Sequence, residues 1–172
     1  MSSSEQRTRR SVLGLAALGL TAQMLSGCFR PMLAEGSAAN ELRGRVALPR
    51  VSGRLGFVMN ETFENRLGRP GQTTYRLEVS TRVTDRGLLV AQDNTVTREQ
   101  LTATAVMLLY KDGSVEPVLR DILVSEAGFD ETASLYASRT TRRDIEERLA
   151  RDLAERISRR VLARASQLEA AS

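Results

Sequence analysis

Residues 73–87, TTYRLEVSTRVTDRG, constrain this chain more than any other stretch. Tyr75, Leu77, Val79 and Val83 share one face of an extended chain; Arg76, Glu78, Ser80 and Arg82 share the other. Successive side chains of a strand point to opposite faces, so the pattern predicts a strand with one buried side and one wet side. The buried side demands a covering layer. Residues 95–110, TVTREQLTATAVMLLY, alternate in the same way through Leu101, Ala103, Ala105, Met107 and Leu109. Near their end Val106, Leu108 and Tyr110 make the opposite face apolar too, which predicts a sheet covered on both sides there. Lys111-Asp112-Gly113-Ser114 reads as a hairpin turn, because Asp-Gly supplies the backbone freedom a tight turn needs. Residues 116–129 then return as the partner strand. Pro117, lacking an N–H, is expected at an edge or a bulge.

Two apolar stripes at helical spacing supply the covering layer. In residues 52–68 Leu55, Val58, Met59, Phe63 and Leu67 fall three or four apart, and Gly68, Pro70 and Gly71 stop the helix. In residues 140–168 Ile145, Leu149, Leu153, Ile157, Val161 and Leu168 follow mostly a four-residue step, with Ala165 filling in. Thr141 and Asp144 resemble a capping box. Glu147 with Arg151, and Glu155 with Arg159, are spaced as favourable helical pairs. Arg159, Arg160 and Arg164 suit the negative end of the helix dipole. Acids interleaved with the arginines argue against a helix lying on a membrane surface. Residues 44–51, GRVALPRV, read as a short first strand. The order is β-α-β-β-β-α. It predicts an α+β two-layer sandwich of about four mostly antiparallel strands with two helices packed on one face. The expected organisation is one domain over 44–168, with a spacer over 28–43 and a frayed tail over 169–172.

The first 28 residues read differently. Arg7, Arg9 and Arg10 precede an apolar run over 11–25, and small residues follow it. This is the layout of an export signal over 1–27. The run is shorter than the roughly 20 residues a spanning helix needs. Thr8-Arg9-Arg10-Ser11-Val12-Leu13 also resembles a twin-arginine signal, so the Sec and Tat routes both stay open. Leu25-Ser26-Gly27-Cys28 resembles a bacterial lipobox, in which the cysteine thiol takes a diacylglyceryl group before cleavage ahead of it. Cys28 is the chain's single cysteine, which suits lipidation better than a disulfide. Phe29 follows it where inner-membrane lipoproteins of enteric bacteria often carry Asp, which points to the outer membrane.

Composition narrows function. The chain has no histidine and one cysteine in 172 residues. Zinc sites built on His and Cys, Ser-His-Asp triads and Cys-His dyads are therefore excluded. No phosphate-binding glycine loop of the P-loop type is present. Glu146 and Glu147 sit among arginines and read as a solvated face. The expectation is a protein that is not an enzyme and needs no cofactor or metal. The net charge of +4 is modest, and Arg7, Arg9, Arg10 and Glu5 belong to the leader. Without interleaved aromatic and basic residues, nucleic acid is not an expected partner.

Taken together, LSGCFRPML, the short strand and helix, the three further strands and the arginine-rich last helix resemble the LptE family of lipopolysaccharide-assembly lipoproteins. So does Tyr136-Ala137 ahead of the last helix. The resemblance implies a lipoprotein held in the outer membrane by Cys28. It would face the periplasm or the lumen of an LptD-type β-barrel, plug and help assemble that barrel, and bind lipopolysaccharide. A basic residue in the loop before the last helix is implied as a lipopolysaccharide contact. Arg139 matches best, with Arg142 and Arg143 close by; Arg98 and Lys111, near strand loops, are further candidates. The alternative is an auxiliary periplasmic lipoprotein of a lipid-trafficking ABC transporter.

Overall fold

The computed structural model describes residues 31–90, 96–130 and 134–170. The chain divides into an N-terminal unit, Met1–Ala34, and a domain, Glu35–Ser172. In the described part of the first unit the Ala34 N–H donates to the Pro31 carbonyl at 3.0 Å. The expected signal segment, the lipobox residues Leu25, Ser26 and Gly27, and Cys28 lie outside the described residues.

Four strands form the sheet of the domain: β1 (Val46–Ala47), β2 (Tyr75–Val90), β3 (Val96–Lys111) and β4 (Pro117–Asp130). Their spatial order is β1-β2-β3-β4. β1 runs parallel to β2, and the other two pairings are antiparallel. The alternation in the sequence fixes the register. Leu77 pairs with Leu109, Val79 with Met107 and Val83 with Ala103, so all the apolar sides meet on one face. The hairpin turn lies at the expected place: Gly113 has φ +76° and the Ser114 N–H donates to the Lys111 carbonyl at 3.0 Å. Pro117 sits on the edge strand, next to a register shift between Leu109 and Tyr110, as its missing N–H requires.

The helices are α1 (Ala38–Leu42), α2 (Gly53–Leu67), α3 (Leu135–Ala163) and α4 (Ala165–Ala170). α2 contributes Met59, Phe63 and Leu67 to the core, and α3 contributes Leu149, Leu153, Ile157 and Val161. They close over Leu77, Leu101, Met107 and Leu109 of the sheet. Ala103 and Ala105, also buried, leave room for α3 to lie close on β3. The buried hydroxyls of the helices are satisfied locally: Ser158 donates to the Ala154 carbonyl and Thr62 to the Val58 carbonyl, both at 2.8 Å.

Several expectations need correction. Part of the expected spacer is folded: Ser37 caps α1, and Ala39 and Leu42 are buried in the core. Five residues are too few to show a helical period. The first strand has only two residues, Val46 and Ala47. The last helix starts at Leu135, not at 140. Its cap is Ser134, whose hydroxyl accepts from the Ala137 N–H, and not Thr141. It also breaks at Arg164, and α4 continues to Ala170 inside the expected tail. Finally, among the described residues no element covers the second face near the end of β3, and Val106, Leu108 and Tyr110 are half-buried there. Among the described residues both long helices lie on the other face, and Ile122 and Val124 stay 58% and 44% exposed.

Candidate functional site

An arginine in the N-terminal half of α3 ties that helix to one end of the sheet by ion pairs. Arg142 contacts Asp85 of β2 at 2.5 Å, Glu99 of β3 at 3.5 Å and Glu146 of α3 at 3.3 Å. The hydrogen bond from Arg142, and then its charge, hold the Asp85 carboxyl below its ordinary value. The Arg142 guanidinium is raised in turn, first by its hydrogen bond to Asp85. Arg142 therefore ties three elements together, and its charge is already matched.

The other sequence-predicted basic residues divide by position. Arg139 and Arg143 lie in the first turns of α3, so Arg139 is helical and not in a preceding loop. Both are exposed, and neither has an ion-pair partner among the described residues. Arg98, on β3, stands 3.8 Å from Asp130 of β4. Arg98, Arg139, Arg142 and Arg143 thus gather at one end of the domain. Lys111 is at the opposite end of β3, about 40 Å from Arg98 at the usual strand rise. There it lines a pocket of about 140 Å³ with Val118, Leu119, Arg164 and Leu168. The five residues do not form one site.

The paired carboxylates also separate. Glu146 faces Arg142, whereas Glu147 reaches Arg54 of α2 at 2.5 Å. Glu155 bonds Arg66 of α2 at 3.0 Å. These contacts replace the expected pairs with Arg151 and Arg159, because α2 brings arginines to that flank of α3. Among the described residues no group of His, Cys, Asp and Glu could hold a metal ion, and no helix is long and apolar enough to cross a membrane.

A second basic feature was missed by the sequence reading. It runs between α3 and the open edge of β4. One groove of about 480 Å³ is lined by Ile122, Val124, Arg156, Arg159 and Arg160. A neighbouring one of about 580 Å³ is lined by Glu126, Arg148, Asp152 and Arg156, with Val124 and Ser125. Arg156 is common to both. Its Nη1 donates to the Val124 carbonyl at 2.7 Å, and its Nε lies 3.3 Å from Asp152. Ser125 donates to Asp152 at 2.6 Å, and Arg160 bonds Asp121 at 2.5 Å. The signal was available: 148, 152, 156 and 160 form a four-residue step, which places Arg148, Arg156 and Arg160 on one flank of the helix.

No family model and no curated protein matches this chain. Solved structures do. A candidate lipoprotein from Caulobacter crescentus superposes with a TM-score of 0.58 at 18% identity, covering 75% of this chain and 96% of that one. The rare lipoprotein B of Shewanella oneidensis gives 0.58 at 11% identity, over 72% of this chain and 98% of that one. A minor lipoprotein from Acinetobacter baumannii gives 0.54 at 16% identity, over 71% and 93%. The α+β sandwich described above is therefore the fold of these bacterial lipoproteins.

Proposed function

We propose that this chain is a lipoprotein of the outer membrane, anchored through Cys28, that plugs an LptD-type β-barrel and contacts lipopolysaccharide on its way to the outer leaflet. The carrying observation is the fold shared with three lipoproteins over nearly their whole lengths, joined here to a lipobox-like Leu25-Ser26-Gly27-Cys28. The physics suits the role. The lumen of a large barrel is polar, and the domain presents arginines on both helix flanks and on the wet face of the sheet. Phosphates and acidic sugars pair well with guanidinium groups. Within the basic end, Arg139 and Arg143 are the lipopolysaccharide contacts of this reading, and Arg142 positions them by fixing α3 to the sheet. The role assigned is binding and assembly, without catalysis.

The test is a pull-down of the tagged, lipidated protein from detergent-solubilised outer membrane, with mass spectrometry of its partners. A stoichiometric large barrel is the expected result. An inner-membrane transporter in its place would overturn the plug role in favour of an auxiliary transport lipoprotein. Cys28→Ser should abolish labelling by radioactive palmitate and release the protein from the membrane fraction.

A further inference from the structure

An edge strand exposes backbone donors and acceptors that can template another strand. β4 is such an edge, fourteen residues long and, among the described residues, paired on one side only, with β3. Its outward groups are identifiable. The Val124 carbonyl points away from β3, since Arg156 reaches it at 2.7 Å. The Ile122 N–H is taken by the Asp121 carboxylate at 2.9 Å. Arg120, Ile122, Val124 and Glu126 alternate in the same direction along the strand. Two side chains, one anionic and one cationic, thus stand where the carbonyl and N–H of a fifth strand would stand.

The surroundings specify what that strand must carry. Toward α3 the edge faces Arg148, Arg156, Arg159 and Arg160. Arg156 and Arg160 are occupied by Asp152 and Asp121. Arg148 and Arg159 have no ion-pair partner among the described residues, so cation is in excess there. A second copy of β4 would bring a second α3 and its arginines to the same junction, which disfavours self-pairing. On the uncovered face Ile122 and Val124 present apolar side chains. Arg148 lines the groove that reaches Glu126, and Arg159 the groove that reaches Ile122. Along the helix they stand about 16 Å apart, roughly the span of four to five strand residues.

We infer that the β4 edge is a docking site for an extended segment of another polypeptide. That segment adds as a fifth strand, with carboxylates four residues apart toward α3 and apolar side chains on its other face. Asp121 and Arg156 protect the edge until it arrives. Main-chain hydrogen bonds supply the attachment and the alternating side chains the selectivity. The site is independent of the barrel reading: a barrel could be retained by other surfaces if this inference fails, and the edge could bind a strand if no barrel is found.

The test uses the lipidated full chain in detergent and a capped, dye-labelled peptide in which valines alternate with Asp, Thr and Asp, read by fluorescence anisotropy. Two companion peptides carry Lys for Asp, or N-methyl groups on alternate backbone nitrogens. The acidic peptide should bind saturably, slow amide exchange at Ile122 and Val124, and lose both effects in each companion. Arg148→Ser with Arg159→Ser should weaken it by about tenfold, as loss of charge-assisted contacts does. Equal binding by the N-methylated peptide overturns strand addition and leaves an anion-binding groove, open to phosphorylated lipid. Equal binding by the lysine peptide overturns the charge argument. Absence of saturable binding by the acidic peptide means that Asp121 and Arg156 only guard the edge, and the inference falls.

Discussion

The two faces of the sheet are made from the same three long strands and behave as different materials. The inner face stacks Leu77, Leu101, Ala105, Met107 and Leu109 against α2 and α3, and these side chains are almost fully buried. The outer face places Arg76, Glu78, Thr102 and Glu126 around Val106, Leu108 and Ile122, with no described element over them. Polar groups there bond across strands: Gln100 donates to Glu126 at 2.9 Å, and Arg76 lies over the Tyr110 ring at 4.8 Å. The difference shows where stability and recognition separate. Burial on the inner face holds the fold, and the outer face and the β4 edge are where the proposed partners would bind.

The largest expected effect tests the inner face. Leu109→Ala should cost about 2–5 kcal/mol, because a fully buried leucine loses its transfer energy and leaves a cavity. Urea unfolding monitored by circular dichroism measures it. A loss below about 1 kcal/mol would mean that the site collapses, and that the inner face is not packed as described.

A sharper test lies in the helix layer. Gly56 of α2 is buried, and a Cβ there would lie 2.0 Å from the Val51 carbonyl oxygen. Asn60 holds that same residue, accepting from the Val51 N–H at 3.4 Å and donating to its carbonyl at 3.3 Å. In an open helix Gly→Ala gains about 1 kcal/mol. Here Gly56→Ala should instead cost roughly 1–3 kcal/mol, the usual range for overpacking. Thermal unfolding of the two proteins gives the sign directly.

At its far end the inner face changes from apolar to ionic, where Asp85 and Glu99 meet Arg142. Because the Asp85 carboxyl is held below its ordinary value of 3.8, its ionised form is the one favoured by folding. Its contribution is present above that value and is lost as pH falls through the lower folded value. Asp85→Asn should therefore flatten the acid limb of stability below about pH 4. Above it the variant should run parallel to the parent and below it. Stability curves that stay parallel into the acid range would show that the ionisation of Asp85 contributes nothing. Arg142 stays charged throughout the measurable range.

Legibility in the sequence followed the same division. Strands and helices that feed the inner face announced themselves, because a buried face imposes its period on the sequence: Tyr75 to Val83, Leu101 to Leu109, Leu149 to Val161. Elements without that demand were hidden. The first ten residues of α3 carry no buried stripe, since Leu135 and Tyr136 are 67% and 82% exposed, so the apolar pattern begins later than the helix does. The break at Arg164 was invisible because Ala165 and Leu168 continue the apolar pattern across it. The basic residues were visible as residues, but their partners were not. Nothing in the sequence placed Asp85 and Glu99 around Arg142, or turned Glu147 and Glu155 toward Arg54 and Arg66. Ion pairs across long sequence separations leave no period.

The smallest expected effect bears on the outer face. Ile122 pairs across from Val106 on the uncovered side, and more than half of its surface is in water. An isoleucine kept for packing should resist truncation; one kept for contact with a partner should not matter to the free protein. Ile122→Ala is expected to change unfolding free energy by no more than about 0.5 kcal/mol, the usual range for surface substitutions. It should stand beside Leu109→Ala, on the adjoining strand but on the opposite face, as its control. A loss comparable to that of Leu109→Ala would mean that the outer face is covered in the free protein, and the division between a face for stability and a face for partners would fail. A silent substitution that nevertheless reduces recovery of a co-purifying partner would place Ile122 in an interface, because burial then occurs only on binding.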